Sequence, residues 1–195
     1  MNKLFNEQMM RLRILKCPNH IIRAFFAQKE KLIKELGKMT FGAENIPFLL
    51  VIPFEYLPLS EQLRMLRLRG VLGFSNLDPE KITDPLELSC KSPYFILDVE
   101  DGKNKLNRAP DVAYVVIRQE ERMGLTLPET IALCVQKDVL CEHSVFAIES
   151  RYEKKLVPGL GLEKNQPILT SFEITKKDPN WGSPSCACRV RYQKT

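Results

Sequence analysis

The sequence predicts an α+β protein, and three observations carry that prediction. Residues 46–52, Ile46-Pro47-Phe48-Leu49-Leu50-Val51-Ile52, form a run without charge or glycine that Pro53 closes. A run this short, with β-branched Val51 and Ile52 at its end, reads as a strand buried on both faces. Apolar residues recur at helical spacing in the first third and middle of the chain, whereas from Ser144 onward they alternate with period two. The resulting expectation is a mixed, mainly antiparallel sheet with 46–52 as its buried central strand, and N-terminal and middle helices packed on it.

Residues 3–16 and 19–38 read as two helices broken at Cys17-Pro18-Asn19. Pro18 disfavours a helical residue before it, and Asn19 is a suitable N-cap. In the second helix Ile21, Ile22, Phe25, Phe26, Leu32, Ile33 and Leu36 mark the apolar face, and Gly37 marks the end. A third helix is expected from Ser60 as cap, through Leu63 and Leu66, to a stop at Gly70 and Gly73. Residues 75–92 carry turn signals at Asp78-Pro79 and Asp84-Pro85 and read as an extended surface connection. Residues 93–99 form a second strand that ends in the turn Glu100-Asp101-Gly102.

Pro110 suits the first position of a helix whose apolar side is Val112, Ala113, Val116 and Ile117, with Gly124 closing it in the left-handed conformation. Thr126 and Glu129 then stand three apart as a capping box before Ile131, Cys134 and Val135. Their prominence is structural and not catalytic. Strands follow at 145–148, 156–162, 168–174 and 187–192.

The length of 195 residues fits one domain, or an N-terminal basic helical arm (1–38) on an α+β domain (39–195). With 44% hydrophobic and 27% charged residues, the chain has the apolar material for a core. Nine basic residues against three acidic ones fall in 1–38, so that stretch accounts for the net charge of +5. Such a face meets nucleic acid, an anionic surface or an acidic partner, or is simply solvated. Nucleic acid is disfavoured, because no aromatic RNA-binding signature accompanies the charge, and no Gly-x-x-x-x-Gly-Lys run offers a phosphate loop. The start lacks an apolar h-region and no segment approaches the ~20 apolar residues of a membrane span. A cytoplasmic protein with six reduced cysteines is expected. The expected partner is a protein or small-molecule ligand, with no membrane, and oligomer contacts through the N-terminal helices.

Several stretches resemble an uncharacterised family of small bacterial, largely actinobacterial, proteins classed as a domain of unknown function. They are Ile46 to Pro53, Pro93 to Val99, Leu125-Thr126 with Glu129 to Leu133, Ser150-Arg151 with Val157-Pro158, and Trp181 to Cys186, in the family's order. The resemblance implies no activity.

Candidate chemistry gathers in Trp181-Gly182-Ser183-Pro184-Ser185-Cys186-Ala187-Cys188, which holds the single Trp, two hydroxyls and two thiols. Cys186 is a candidate nucleophile with His143 as its base, oriented by Glu149 or Asp98. Against this, the segment lacks a Gly-x-Ser-x-Gly elbow, and Trp181 can plug the sheet while the cysteines pack as small hydrophobes. Cys141, His143, Cys186 and Cys188 are a zinc complement by type. Their one-residue spacers disfavour zinc, so neither metal nor cofactor is expected. Asp98, Glu100 and Asp101 cluster at a strand end, and a buried Asp98 needs Arg151 or Arg122 as partner. Arg151 is also suited to grip an anionic ligand with its fork of donors, although a pairing with Asp98 is the preferred role. Candidate binding residues are thus Asp98, Arg151, Trp181, Ser183 and Ser185. Because no complete acid–base–nucleophile set stands at recognisable spacing, a non-catalytic binding or regulatory module is favoured over a hydrolase- or transferase-like Cys/His enzyme.

Overall fold

The structure, a computed structural model, describes residues 1–85 and 92–191. Cys90 and the end of the predicted connection over 75–92 lie outside the described residues, as does Tyr192 of the last predicted strand. Five α-helices are present: α1 (Asn2–Ile14), α2 (Asn19–Leu36), α3 (Leu59–Met65), α4 (Pro110–Gln119) and α5 (Leu127–Gln136). The longer strands are β1 (Ile46–Val51), β6 (Tyr94–Glu100), β10 (Leu156–Glu163), β11 (Gln166–Glu173) and β13 (Ser185–Val190). Between them lie β2 (Arg67–Leu68), β3 (Val71–Leu72), β4 (Phe74–Ser75), β5 (Ile82–Thr83), β7 (Met123–Gly124), β8 (Ser144–Phe146), β9 (Arg151–Tyr152) and β12 (Trp181–Gly182).

One sheet runs β1-β6-β13-β7 and is antiparallel throughout. The second runs β12-β8-β10-β11-β4, with β9 on β10 and β5 on β9. Only its β12–β8 and β11–β4 pairs are parallel. The class is α+β with mainly antiparallel pairing.

Strand β1 is buried on both faces, with Phe48, Leu49 and Val51 fully inaccessible. It nevertheless lies at the end of the strand order, and β6 holds the middle. An all-apolar run reports that both faces are covered, not where the strand sits. Its outer edge is covered by α1: Gln8 Nε2 donates to Phe48 O at 2.7 Å, and Leu50 N–H donates to Gln8 Oε1 at 3.1 Å. One side-chain amide stands in for a neighbouring strand and satisfies backbone groups that would otherwise be orphaned.

Helices α1 and α2 place Phe5, Met9, Leu12, Ile21, Phe25 and Leu32 into the same core as β1 and β6. Phe25 meets Phe95 of β6 at a ring separation of 5.8 Å. Each such buried side chain contributes about 1.5–3 kcal/mol.

Four local expectations need correction, the first being the cap of α2, where Pro18 holds the position and Asn19 is already helical. Helix α3 stops at Met65, because Arg69 (φ 50°) and Gly70 (φ 84°) make the two-residue left-handed turn of the β2–β3 hairpin. Ser60 lies inside that helix, and Pro58 holds the cap position. At the end of α4 the left-handed residue is Glu121 (φ 56°), whereas Gly124 belongs to β7 and pairs with Ser185. The expected box at Thr126 and Glu129 does start α5. Its carboxylate half is the strong one, with Thr126 N–H donating to Glu129 Oε2 at 2.8 Å, while Thr126 Oγ1 makes no close hydrogen bond.

Candidate functional site

The residues singled out in the sequence fall into four separate environments. Trp181 is in the first, packed against Phe146 at 4.8 Å between ring centroids and Phe172 at 4.2 Å. A Cβ on Gly159 would come within 2.4 Å of the indole, so β10 is shaped to receive the ring. Trp181 is a plug for the second sheet and is buried.

The second environment is the turn at Gly102. Its φ of 96° suits glycine, and its backbone crosses that of Gly182 so closely that a Cβ on Gly182 would lie 2.4 Å from Gly102 O. His143 Nε2 lies 3.2 Å from Asp101 O and donates to that carbonyl. His143 Nδ1 and Ser183 Oγ are both buried without a partner among the described residues. Cys186 is fully buried on β13 opposite Val99, and burial pushes its thiol well above the usual range. Neither ring nitrogen of His143 is hydrogen-bonded to Cys186. The nucleophile and base expected from the sequence are therefore not joined. Of the four zinc-type residues, Cys141 is exposed while His143 and Cys186 are buried, and Cys188 is half-buried. Among the described residues no group of three or more His, Cys, Asp or Glu is arranged to hold a metal ion.

Asp98 and Ser185 come together in the third. Asp98 sits in mid-strand with φ 52°, a conformation that costs a non-glycine residue about 1–3 kcal/mol unless its surroundings fix it. They do: Asp98 Oδ1 accepts from Gly42 N–H (3.1 Å) and Asn45 Nδ2 (2.9 Å), and Oδ2 from Arg122 Nη1 (2.6 Å). Burial alone raises this carboxyl, but the Arg122, Asn45 and Gly42 hydrogen bonds outweigh it and hold the group below its ordinary range. Arg122 Nε also donates to Ser185 Oγ at 2.8 Å. Ser185 in turn donates to Glu100 Oε2, which Lys105 Nζ meets at 2.7 Å. Asp98 thus pairs with Arg122, and the preferred Arg151 pairing does not occur. Every charge in this network has a partner, so it serves as a brace across the end of β6 and β13.

A second brace escaped sequence reading. Arg189 grips buried Glu129 through Nε–Oε1 at 2.6 Å and Nη2–Oε2 at 2.8 Å, and donates to Gly124 O at 2.7 Å. Tyr94 Oη donates to the same carboxylate at 2.9 Å. Burial raises Glu129, but Arg189 and the Thr126 N–H overcome it and hold the carboxyl below its ordinary range.

Arg151 is in the fourth environment. Its Nη1 donates to Ile148 O at 2.7 Å and Ser150 O at 2.8 Å, which fixes the guanidinium without neutralising it. Among the described residues no carboxylate pairs with it. Arg151 lines a cleft of about 270 Å³ with Pro110, Asp111, Tyr114, Val115, Ile148 and Ile174. Ile148, which lines the cleft, also belongs to the small apolar cluster that includes Phe146, Val157 and Trp181. The start of α4 offers no donors there: Asp111 N–H donates to Ile174 O at 3.0 Å, and Val112 N–H to Asp111 Oδ1 at 2.7 Å. Among the described residues the cleft therefore holds one preset cation, one carboxylate and mainly apolar walls, with no nucleophile–base pair.

Asp111, Tyr114 and Val115 were not singled out in the sequence. The available signal was an excess of apolar residues on α4: Ala113 and Ile117 suffice for its buried stripe, while Val112 and Val115 are each 53% exposed.

No curated protein and no solved structure matches the chain. Residues 9–159 match the family of unknown function DUF5701, a stretch that includes α4 and Arg151, and the chain belongs to that family.

Proposed function

We propose that this protein is a non-catalytic binding module that takes a small anionic molecule, a carboxylate or phosphate, at Arg151. The supporting observation is a guanidinium held by two backbone carbonyls, unpaired with any carboxylate among the described residues, on the wall of an open cleft. Preorganised arginine is well suited to planar anions because its fork loses little freedom on binding. Catalysis by Cys186 and His143 is disfavoured, since the thiol is buried and its proton is harder to remove than usual.

The setting we infer is the cytoplasm of a bacterium. Cys17, Cys134, Cys141, Cys186 and Cys188 are all free thiols, in keeping with a reducing compartment. No helix among the described residues is long and apolar enough to cross a membrane. Self-association would use α1, whose Met10 and Ile14 are 56% and 69% exposed.

Thermal unfolding of the full chain against acetate and inorganic phosphate tests the binding role. A ligand at a hundred times its dissociation constant adds about 2.7 kcal/mol to stability, a readily measured rise in Tm. The rise is expected for the native chain and absent in Arg151→Met. An equal rise in both proteins refutes binding at Arg151.

A further inference from the structure

Resting on the anion site just described, we infer that its ligand is a free α-amino acid with an apolar side chain. Three features of the cleft point there. Arg151 supplies a cation for the carboxylate. Asp111 lines the same cleft; its Oδ1 accepts Val112 N–H, and its Oδ2 has no hydrogen bond among the described residues. Asp111 and Arg151 form no salt bridge with each other, so the cleft they both line presents a carboxylate and a guanidinium.

A simple anion would leave Asp111 as a repulsive neighbour. An ammonium group beside the ligand's carboxylate turns that repulsion into attraction. The remaining walls are Val115, Ile148, Ile174 and the ring of Tyr114, which suit an aliphatic side chain and offer it no polar partner of opposite charge. The volume of about 270 Å³ lies just under the ~300–1,000 Å³ of pockets for drug-sized ligands, which limits the occupant to a small molecule. No nucleophile–base pair lines the cleft, so the amino acid is bound and released unchanged.

The test is calorimetric titration of the full chain with L-leucine, with 4-methylpentanoate, which lacks the ammonium, and with 3-methylbutylamine, which lacks the carboxylate. L-leucine is expected to bind about fivefold more tightly than 4-methylpentanoate, the size of effect an exposed charge pair supplies, and the amine is expected not to bind. Asp111→Asn keeps the oxygen that accepts Val112 N–H. In that variant the preference should fall to about unity, L-leucine losing the partner of its ammonium and 4-methylpentanoate binding somewhat more tightly once the repulsion is gone. Arg151→Met should lose both carboxylates. Equal binding of L-leucine and 4-methylpentanoate, or a preference that survives Asp111→Asn, overturns the amino-acid assignment and leaves the anion site standing. Failure of both carboxylates to bind the native chain overturns both.

Discussion

Replacing Arg189 with methionine keeps the volume of the side chain's stem but leaves Glu129 buried without its counter-ion. Four hydrogen bonds are lost, two to Glu129, one to Gly124 O and one to Met123 Sδ. Breaking a buried pair from one side costs about 3–5 kcal/mol. Glu129 keeps two donors, Tyr94 Oη at 2.9 Å and Thr126 N–H at 2.8 Å, which places the expected loss at about 3–4 kcal/mol.

The sign of its pH dependence follows from the same geometry. In the native chain Glu129 is held below its ordinary range, so its contribution is present above the unfolded value of about 4.3 and is lost as pH falls through the lower folded value. Without Arg189, burial dominates and raises the folded value above the unfolded one. Stability is then present at low pH and lost as pH rises. The deficit of Arg189→Met should therefore grow as pH rises above the unfolded value of about 4.3. Urea denaturation read by Trp181 fluorescence measures it, Trp181 being buried beside Phe146. Adding Glu129→Gln should recover part of the loss by removing the stranded charge. A loss under about 1 kcal/mol, or one indifferent to pH, refutes Arg189 as the counter-ion that makes Glu129 tolerable.

Other substitutions probe other joints. Burial pushes Asp84 up to about 6, against a hydrogen bond with Ser150, so its folded value exceeds the unfolded one and native stability should fall as pH rises through about 6. Urea midpoints on either side of that pH should differ, and Asp84→Asn should abolish this part of the difference; a decline retained in full contradicts the assignment. Gly159→Ala sets a methyl 2.4 Å from the indole of Trp181. It should cost about 1–3 kcal/mol and shift Trp181 emission, whereas unchanged emission and stability would show that the ring is not seated on Gly159. Gln8→Leu orphans Phe48 O and Leu50 N–H at the covered edge of β1. Its expected cost is about 2–4 kcal/mol with faster hydrogen exchange at Leu50, and protected exchange there would refute edge capping by Gln8.

What could be read from the sequence was local, and what could not was tertiary. The apolar run at 46–52 and the Thr126–Glu129 box announce themselves within a few neighbouring residues, and both formed. Burial of β1 was visible, but its edge position was not, because the signal is the same whether a strand or Gln8 of α1 covers the side. The turn of the β2–β3 hairpin shows the limit of a helical pattern. Leu63 and Leu66 invite continuation of α3, yet the left-handed pair Arg69-Gly70 redirects the chain. Ion pairing was least accessible. Asp98 had two arginine candidates, and the choice of Arg122 depends on β13 bringing Ser185 to the same guanidinium. Arg151, released from that role, lines a cleft without a carboxylate partner among the described residues. The exposed Val115 of the same cleft, and exposed Val112, are masked by a helix whose pattern is ordinarily amphipathic.

The most searching measurement is a nitrogen–proton NMR titration of the full chain with acetate, following the Arg151 Nε–H signal assigned by its loss in Arg151→Met. Saturable shifts of that signal together with the backbone amides of Asp111, Val115 and Ile174 are expected. If those resonances stay still while amides around His143 and Ser183 move, the ligand belongs at the Gly102 turn and the Arg151 cleft is not the binding site.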